Sequence, residues 1–344
     1  MIFIASFTGV GVVTYNIYDA FSNVERIEIK EFNSEIEIPK ASSTKTFLLF
    51  SVGSEGLEYE EIRRTGVGKA RGGMLDGLTD SIMVVIANPN THNLGILSIP
   101  RDLWLDNKGS RINEVYKNYG VLELVREVED LTSLPIDHVI KSNFAGFVDL
   151  VDLVGGIDVE LDYSAKDDKA KLLLEKGCNN LSGEKALAFA RSRHWKVSYD
   201  GVNFRSDRSS SDFGRIERQQ YVLTQLANEL KNPLLITKVN SIFSTLAGNV
   251  ALDTNLTVRE ISSWLVSFSK GVGKIEKRTI QGIGFTTEQG ASVLQFDRLA
   301  STALAQELLD ETNGLITEQN RERSIDENRI DTFKENLTDY KPCA

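Results

Sequence analysis

Hydrophobic and polar residues change register several times along this chain, and each register marks an element. From Val24 to Ile38 charged residues alternate with Ile, Val and Phe, the pattern of an exposed strand. Thr44 to Val52 is a denser apolar run and predicts a strand buried on both faces. A glycine-rich, charged loop is expected from Gly53 to Thr79. Two strand-like runs follow, Ser81 to Ala87 and Leu94 to Ile99, and the turn formers Asn88-Pro89-Asn90-Thr91-His92-Asn93 join them as a hairpin. Centring that turn between Asn90 and Thr91 pairs positions whose numbers sum to about 181, which sets Asp80 opposite Arg101.

Further on, His138 to Phe144 reads as a strand and Ala145 to Val154 as an amphipathic helix. Gly155-Gly156 stops that helix, and Ile157 to Leu161 is another strand. Ser182 is placed to cap a helix running through Arg191, and Asp212 to cap a longer one running to Asn232, before Pro233. Phe285 to Leu309 predicts a helix. From Asp310 onward the chain is polar and rich in Glu, Asn and Asp, the composition of a disordered acidic tail. No internal repeat is evident. Strands and helices mixed in this way predict an α/β fold with helices on both faces of a sheet, a three-layer α-β-α arrangement.

The first residues read differently. No charged residue occurs from Ile2 to Tyr18, a stretch just short of the ~20 apolar residues that span a bilayer. It is expected to be the outer part of a membrane anchor whose first residues would precede this chain; a buried N-terminal helix is the alternative.

Charge sharpens the picture. The formal net charge is -10, which argues against non-specific nucleic-acid binding, since that needs a basic surface. Cys178 and Cys343 are too few for a disulfide framework and lack zinc-site spacing; one disulfide or two free thiols both remain open. His92, His138 and His194 do not cluster, and neither a P-loop nor an HExxH motif is present.

Against this acidic background Arg191, Arg193, Arg215 and Arg218 gather in one short stretch. Each guanidinium is a rigid fork that matches phosphate oxygens two at a time, so a phosphate or pyrophosphate ligand is the leading expectation. Arg191 and Arg193 are two apart and share a face only where the chain is extended, so a common ligand requires the helix to end near Arg191. Arg215 falls in the first turn of its helix, the unfavourable end for a cation unless an anion is held there. Gln219 lies one turn further along the same face. The bland readings are an ordinary Asp80–Arg101 salt bridge and solvated arginines at a helix end.

Several blocks now fall in a familiar order. They are Phe47-Leu48-Leu49-Phe50-Ser51-Val52-Gly53, Thr79-Asp80-Ser81-Ile82-Met83, Leu97-Ser98-Ile99-Pro100-Arg101-Asp102 and Arg111-Ile112-Asn113-Glu114. Phe144-Ala145-Gly146-Phe147, Val151 to Val159, Leu181 to Arg193 and Asp212-Phe213-Gly214-Arg215-Ile216-Glu217-Arg218-Gln219 follow. Together they resemble the LytR-CpsA-Psr proteins of bacterial cell-wall assembly, strongly from Lys45 to Asn232 and more weakly towards residue 309.

That resemblance implies a single three-layer domain over 45–309 with a mixed central sheet. Residues 1–20 would be the anchor, 21–44 an extracytoplasmic strand or linker and 310–344 the tail. The implied activity is that of a single-pass membrane phosphotransferase facing outward. It would move a glycopolymer from a polyprenyl-pyrophosphate carrier to peptidoglycan through a phosphodiester, aided by Mg²⁺. By position, Arg101, Arg191, Arg193, Arg215 and Gln219 would hold the pyrophosphate, and Asp80 would serve the metal and orient or deprotonate the acceptor hydroxyl.

The chain departs from the family pattern in three places. An Asp usually follows the first core strand, where Gly53-Ser54-Glu55-Gly56 offers only Glu55 as a metal ligand. Leu78 stands where the family often has Arg, and Asp76 is a nearby candidate carboxylate. The connection from Arg193 to Arg215 is longer than usual and contains Trp195, Tyr199 and Phe204, the composition of a lid, an acceptor loop or surface decoration. A non-catalytic polyprenyl-phosphate-binding protein and a polyprenyl-pyrophosphate hydrolase are the alternative functions.

Overall fold

In a computed structural model, the described residues are 21–22, 24–28, 44–52, 77–229, 242, 244, 249–316 and 340–343. The anchor segment 1–20, Glu55 and Asp76 therefore lie outside the described residues. Among the described residues no helix is long and apolar enough to cross a membrane.

The chain first lays down β1 (Glu25–Ile27), β2 (Lys45–Val52), β3 (Thr79–Ala87) and β4 (Leu94–Ile99). A small ribbon, β5 (Trp104–Leu105) with β6 (Ser110–Arg111), leads into α1 (Val115–Tyr119) and α2 (Val121–Thr132). Next come β7 (His138–Asn143), α3 (Phe144–Val154), β8 (Ile157–Leu161), β9 (Ser164–Asp167), β10 (Leu172–Leu174) and β11 (Gly177–Leu181). Then follow α4 (Gly183–Arg191), β12 (Lys196–Ser198), β13 (Arg205–Ser206) and α5 (Asp212–Glu229). The last elements are β14 (Val250–Asp253), α6 (Val258–Phe268), β15 (Ile275–Thr279), β16 (Ile283–Thr286), β17 (Ser292–Gln295) and α7 (Arg298–Thr312).

A seven-stranded sheet in the order β1-β14-β7-β2-β3-β4-β15 forms the centre. It is mixed: β2 runs parallel to β7 and antiparallel to β3, and β4 runs parallel to β15. One face carries Leu48, Phe50, Val84 and Leu97, packed against Leu124 and Val128 of α2 and Leu308 of α7. The opposite face meets α5 and α6, where Phe47 stands edge-on to Trp264 at 5.7 Å and Gln220 reaches Ser98. In β2 the even positions Thr46 to Val52 are buried, whereas Lys45, Phe47, Leu49 and Ser51 are only half-buried. The strand expected to be buried on both faces is therefore more open on the second, where Lys45 keeps an ion pair with Asp137 at 2.7 Å.

A second core sits beside the sheet. Here β8 pairs with β11, and β10-β9-β12-β13 form a small sheet. The 194–214 connection supplies β12 and β13, and Trp195 is fully buried among Phe189, Tyr221 and Tyr340. Of the aromatic residues in that connection, Trp195 is core and Tyr199 is exposed.

Two expectations need correction. The helix predicted over 285–309 begins only at Arg298, behind Asp297, whose carboxylate accepts from the Ala300 N–H. Residues 283–295 form the β16–β17 hairpin instead, because Gly290 at φ +83° closes a turn between Thr287 and Ala291. Paired β-branched Thr286 and Thr287 favour the extended form as well. The tail is not uniformly disordered: α7 runs on to Thr312, and residues 340–343 are bound to the second core. Residues 317–339 lie outside the described residues.

That last segment is tied three ways. Lys341 O accepts from the Glu160 N–H at 2.8 Å, the Tyr340 ring packs on Phe189, and Cys343 forms a disulfide with Cys178. The bridge closes 165 positions of chain. Replacing both cysteines by serine is expected to lower stability by about 2–4 kcal/mol, chiefly by freeing the unfolded chain. A denaturation midpoint unchanged in the double variant would show that the non-covalent contacts alone secure the segment.

Candidate active site

The β3–β4 hairpin keeps the register expected from its turn, pairing Ile82 with Ile99 and Ala87 with Leu94. Just beyond the last pair, Arg101 Nη1 donates to Asp80 Oδ1 at 3.0 Å. Arg101 stands past the end of β4, where α/β sheets offer backbone ends to ligands. Asp102 lies 3.9 Å from Arg101 Nε and 3.5 Å from Arg111 Nε, so an acidic residue backs the arginine from behind. The Asp80 carboxylate is about a third exposed and Arg101 less so, which places the pair at the rim of the sheet rather than in open solvent.

Arg191 is delivered by α4. The helix starts where Gly183 donates its N–H to Asp152 Oδ1 at 2.7 Å; Ser182 occupies the cap position without a side-chain hydrogen bond, contrary to its expected role. A Cβ on Gly183 would lie 2.2 Å from the Val148 carbonyl, so α4 crosses α3 backbone against backbone. The helix ends at Arg191 and Ser192 is extended, at φ -58° and ψ 132°. The shared-ligand reading requires that break, and the chain supplies it. The Arg191 guanidinium lies 4.6 Å over the Phe144 ring, and burial pushes its pKa down while Asp80 opposes the shift. Arg193 is more open and points its Nε at Asp212 Oδ1, 3.3 Å away.

Arg215 comes from the first turn of α5. Ser211, not Asp212, caps this helix, accepting the Gly214 N–H at 3.1 Å. Asp212 is the first helical residue, and its Oδ2 accepts from Arg215 Nη2 at 2.9 Å. One carboxylate thus bridges Arg193 and Arg215. Burial pushes the Arg215 guanidinium down to about 10; Arg101 and Arg193 add to the shift, while Asp212 and Asp80 oppose it. Arg101, Arg193, Arg215 and Asp80 therefore share one electrostatic neighbourhood, which Arg191 enters through Asp80.

Two buried donors in the cluster, Arg101 Nε and Arg215 Nε, have no hydrogen-bond partner. Buried polar groups are nearly always satisfied, so two unpartnered guanidinium donors, at a strand end and in the first turn of a helix, are an arrangement compatible with an anion held between them.

Gln219 is half-buried, one turn along α5 from Arg215, and its side chain makes no hydrogen bond to a described residue. Only helical position connects it with the cluster. Its neighbour Gln220 points into the sheet and donates to Ser98 Oγ, the Arg278 carbonyl and Thr279 Oγ1.

The close approach of α5 to the loop before it depends on Gly214, where a Cβ would meet the Ser209 carbonyl at 2.3 Å. Gly214→Ala is expected to push the first turn of α5 outward and cost about 1–3 kcal/mol of stability, together with loss of anion affinity. An alanine variant with unchanged melting temperature and binding would show that this turn yields freely.

Of the predicted metal ligands, Asp80 is described and Glu55 is not. Mg²⁺ accepts one or two protein carboxylates, with phosphate oxygens and water completing its shell, and Asp80, partly exposed beside the guanidinium groups, is a carboxylate of the kind it takes. The one group of His, Cys and acidic residues within ligating distance of one another among the described residues is Asp158, Cys178 and Cys343; both thiols are consumed in the disulfide.

Sequence reasoning missed Asp212 as the counter-ion and Arg218 as a buried support. The Asp212–Arg215 spacing of three on a helix was a legible signal for the first. Arg218 gave no signal beyond its place beside Arg215.

An α/β sheet carries at its rim a group of arginines paired with Asp80 and Asp212, and the sequence itself falls in one family. The chain belongs to the LytR-CpsA-Psr family: the model of the LytR_cpsA_psr family matches residues 14–310. It is 29% identical over 286 residues to the polyisoprenyl-teichoic acid–peptidoglycan teichoic acid transferase TagU of Bacillus anthracis (strain CDC 684 / NRRL 3495), covering 82% of this chain and 86% of that protein. TagV of Bacillus subtilis (strain 168), named as the same transferase, is 34% identical over 195 residues, 54% of this chain and 46% of its own length. Among solved structures, TagV of B. subtilis superposes with a TM-score of 0.59 at 25% identity, covering 78% of this chain and 97% of that one. TagT bound to LI-WTA shares the fold, with a TM-score of 0.58 at 20% identity over 81% of this chain and 95% of that one.

Proposed function

We propose that this chain is an outward-facing, membrane-anchored phosphotransferase that moves a glycopolymer from a polyprenyl-pyrophosphate carrier onto peptidoglycan. The observation that carries this reading is the meeting of Arg101, Arg193 and Arg215 around Asp80 and Asp212, with Arg191 sensing Asp80. The naming of TagU and TagV as teichoic acid–peptidoglycan transferases supports the substrate class.

The chemistry follows from the residues. A pyrophosphate entering the cluster offers its oxygens to the guanidinium groups there and competes with Asp212 for Arg193 and with Asp80 for Arg101. Phosphoryl transfer asks the protein for positioning and charge neutralisation more than for covalent help, and a group of guanidinium forks supplies both. An acceptor hydroxyl of the wall attacks the phosphorus that bears the sugar. A new P–O bond forms, the bond to the bridging oxygen breaks, and polyprenyl phosphate leaves. Asp80, held in place by Arg101, accepts the hydroxyl proton. When bound, Mg²⁺ neutralises pyrophosphate charge; Asp80 and Glu55 are its proposed ligands. Gln219 is proposed to contact the same headgroup from one turn further along α5.

The test supplies the full chain with a lipid-linked polymer, Mg²⁺ and peptidoglycan fragments. Polymer joined to the fragments is the expected product. Free polymer or released phosphate would make the chain a hydrolase, and binding without turnover would make it a non-catalytic carrier.

A further inference from the structure

The segment that carries Arg191 and Arg193 is held from two sides by buried charges that do not belong to the anion site. Arg218 is fully buried. Its Nε donates to the Phe189 carbonyl at 3.1 Å, its Nη2 to the Ser192 carbonyl, and its Nη1 to the Ser209 carbonyl at 3.2 Å and to Tyr340 Oη at 3.3 Å. Its guanidinium lies 4.8 Å over the Trp195 ring. No described carboxylate pairs with it. All three guanidinium nitrogens are thus engaged, on the carbonyls at the end of α4, where Phe189 O also receives the Ser192 N–H, and on the loop that leads into α5.

Asp167, at the end of β9, takes the other side of the same segment. It is 1% exposed, and its Oδ2 accepts from Ser192 Oγ at 2.6 Å, the Arg193 N–H at 3.0 Å and the His194 N–H at 2.9 Å. Burial alone would raise the pKa of this carboxyl; the hydrogen bonds it accepts outweigh that and hold it down to about 2. A cation gathers the carbonyls of the segment and an anion gathers its N–H groups. The segment has little freedom left, and its two arginines project from a fixed backbone.

We infer that Asp167 and Arg218 are positioning residues for the anion site, clamping the Phe189–His194 segment from opposite sides so that Arg191 and Arg193 converge without either clamp residue touching the ligand. This rests on the pyrophosphate reading above. Lysine at 218 retains the charge but not the planar fork, so it cannot serve the carbonyls of Phe189, Ser192 and Ser209 together. Asparagine at 167 fills the same space, yet its NH₂ group faces N–H donors.

Farnesyl pyrophosphate titrated calorimetrically into the full chain with Mg²⁺ tests the inference, each variant first being checked for folding by its thermal transition. Arg218→Lys and Asp167→Asn are each expected to bind about tenfold more weakly than the parent. Combined with Arg193→Ala, either clamp change should cost less than the product of the single losses by about fivefold, because the group being aimed is already gone. Combined with Arg101→Ala, on a different element, the losses should multiply. A change that merely lowered global stability would give the same pattern with both partners. Folded clamp variants that bind as the parent does, or equal behaviour with Arg193 and Arg101, would overturn the inference. If one clamp variant fails to fold, the other decides. Failure of the parent chain itself to bind would instead remove the pyrophosphate reading, and the clamp's purpose with it.

Discussion

Replacing Arg193 by alanine is expected to reduce polymer transfer by about 10²–10³-fold, the usual loss when one preorganised charge donor is removed from a reacting group. Stability should hardly change. The Arg193 side chain is 44% exposed, and its ion pair is the 3.3 Å contact with Asp212. Exposed pairs of this kind contribute about 0–1 kcal/mol. Asp212 also retains Arg215 after the change, so no buried charge is left without a partner. Arg215 itself would be a poorer test, since its side chain is 6% exposed and its removal would empty a buried site and leave Asp212 with only the more open Arg193. Transfer and melting temperature measured on the same preparation decide the matter. A variant that loses both together would mean the arginine cluster is structural.

Asp80→Asn is expected to lower transfer by about 10²–10⁴-fold, the range for a positioned general base. Its effect on binding should have the opposite sign. Asparagine still offers an oxygen to Arg101 Nη1, while the negative charge facing the incoming pyrophosphate disappears. Headgroup affinity without Mg²⁺ should therefore hold or improve as turnover collapses. A variant whose turnover matches the parent would remove Asp80 from the chemistry. One whose turnover is restored by raised Mg²⁺ would assign the residue to the metal rather than to the acceptor proton.

The contrast between these two residues shows what the sequence made legible. Asp80 and Arg101 could be paired by arithmetic because a tight turn fixes hairpin register, and the structure keeps that register. The end of α4 at Arg191 was also readable, since two arginines at a spacing of two share a face only outside a helix. The counter-ion role of Asp212 was hidden by its resemblance to a cap; Ser211 took the cap, leaving the carboxylate free for Arg193 and Arg215. Residues 285–295 misled because their composition suits either a helix or a hairpin, and the choice was made by packing: Leu294 donates its N–H to the Asp102 carbonyl, and Arg111 reaches the Ser292 carbonyl at 3.1 Å. The tail misled for a similar reason. A few residues, Tyr340 and Cys343 among them, bring the polar segment's end back to the core, and composition averages over them.

The central claim is that guanidinium groups from separate elements grip one pyrophosphate, and a paired titration tests it most directly. Farnesyl pyrophosphate and farnesol are titrated into the full chain and into Arg193→Ala. The account predicts that the parent prefers the pyrophosphate by about 100-fold or more, worth ~2.7 kcal/mol, and that the variant loses most of this preference. Equal affinity for the two ligands in the parent chain would contradict it.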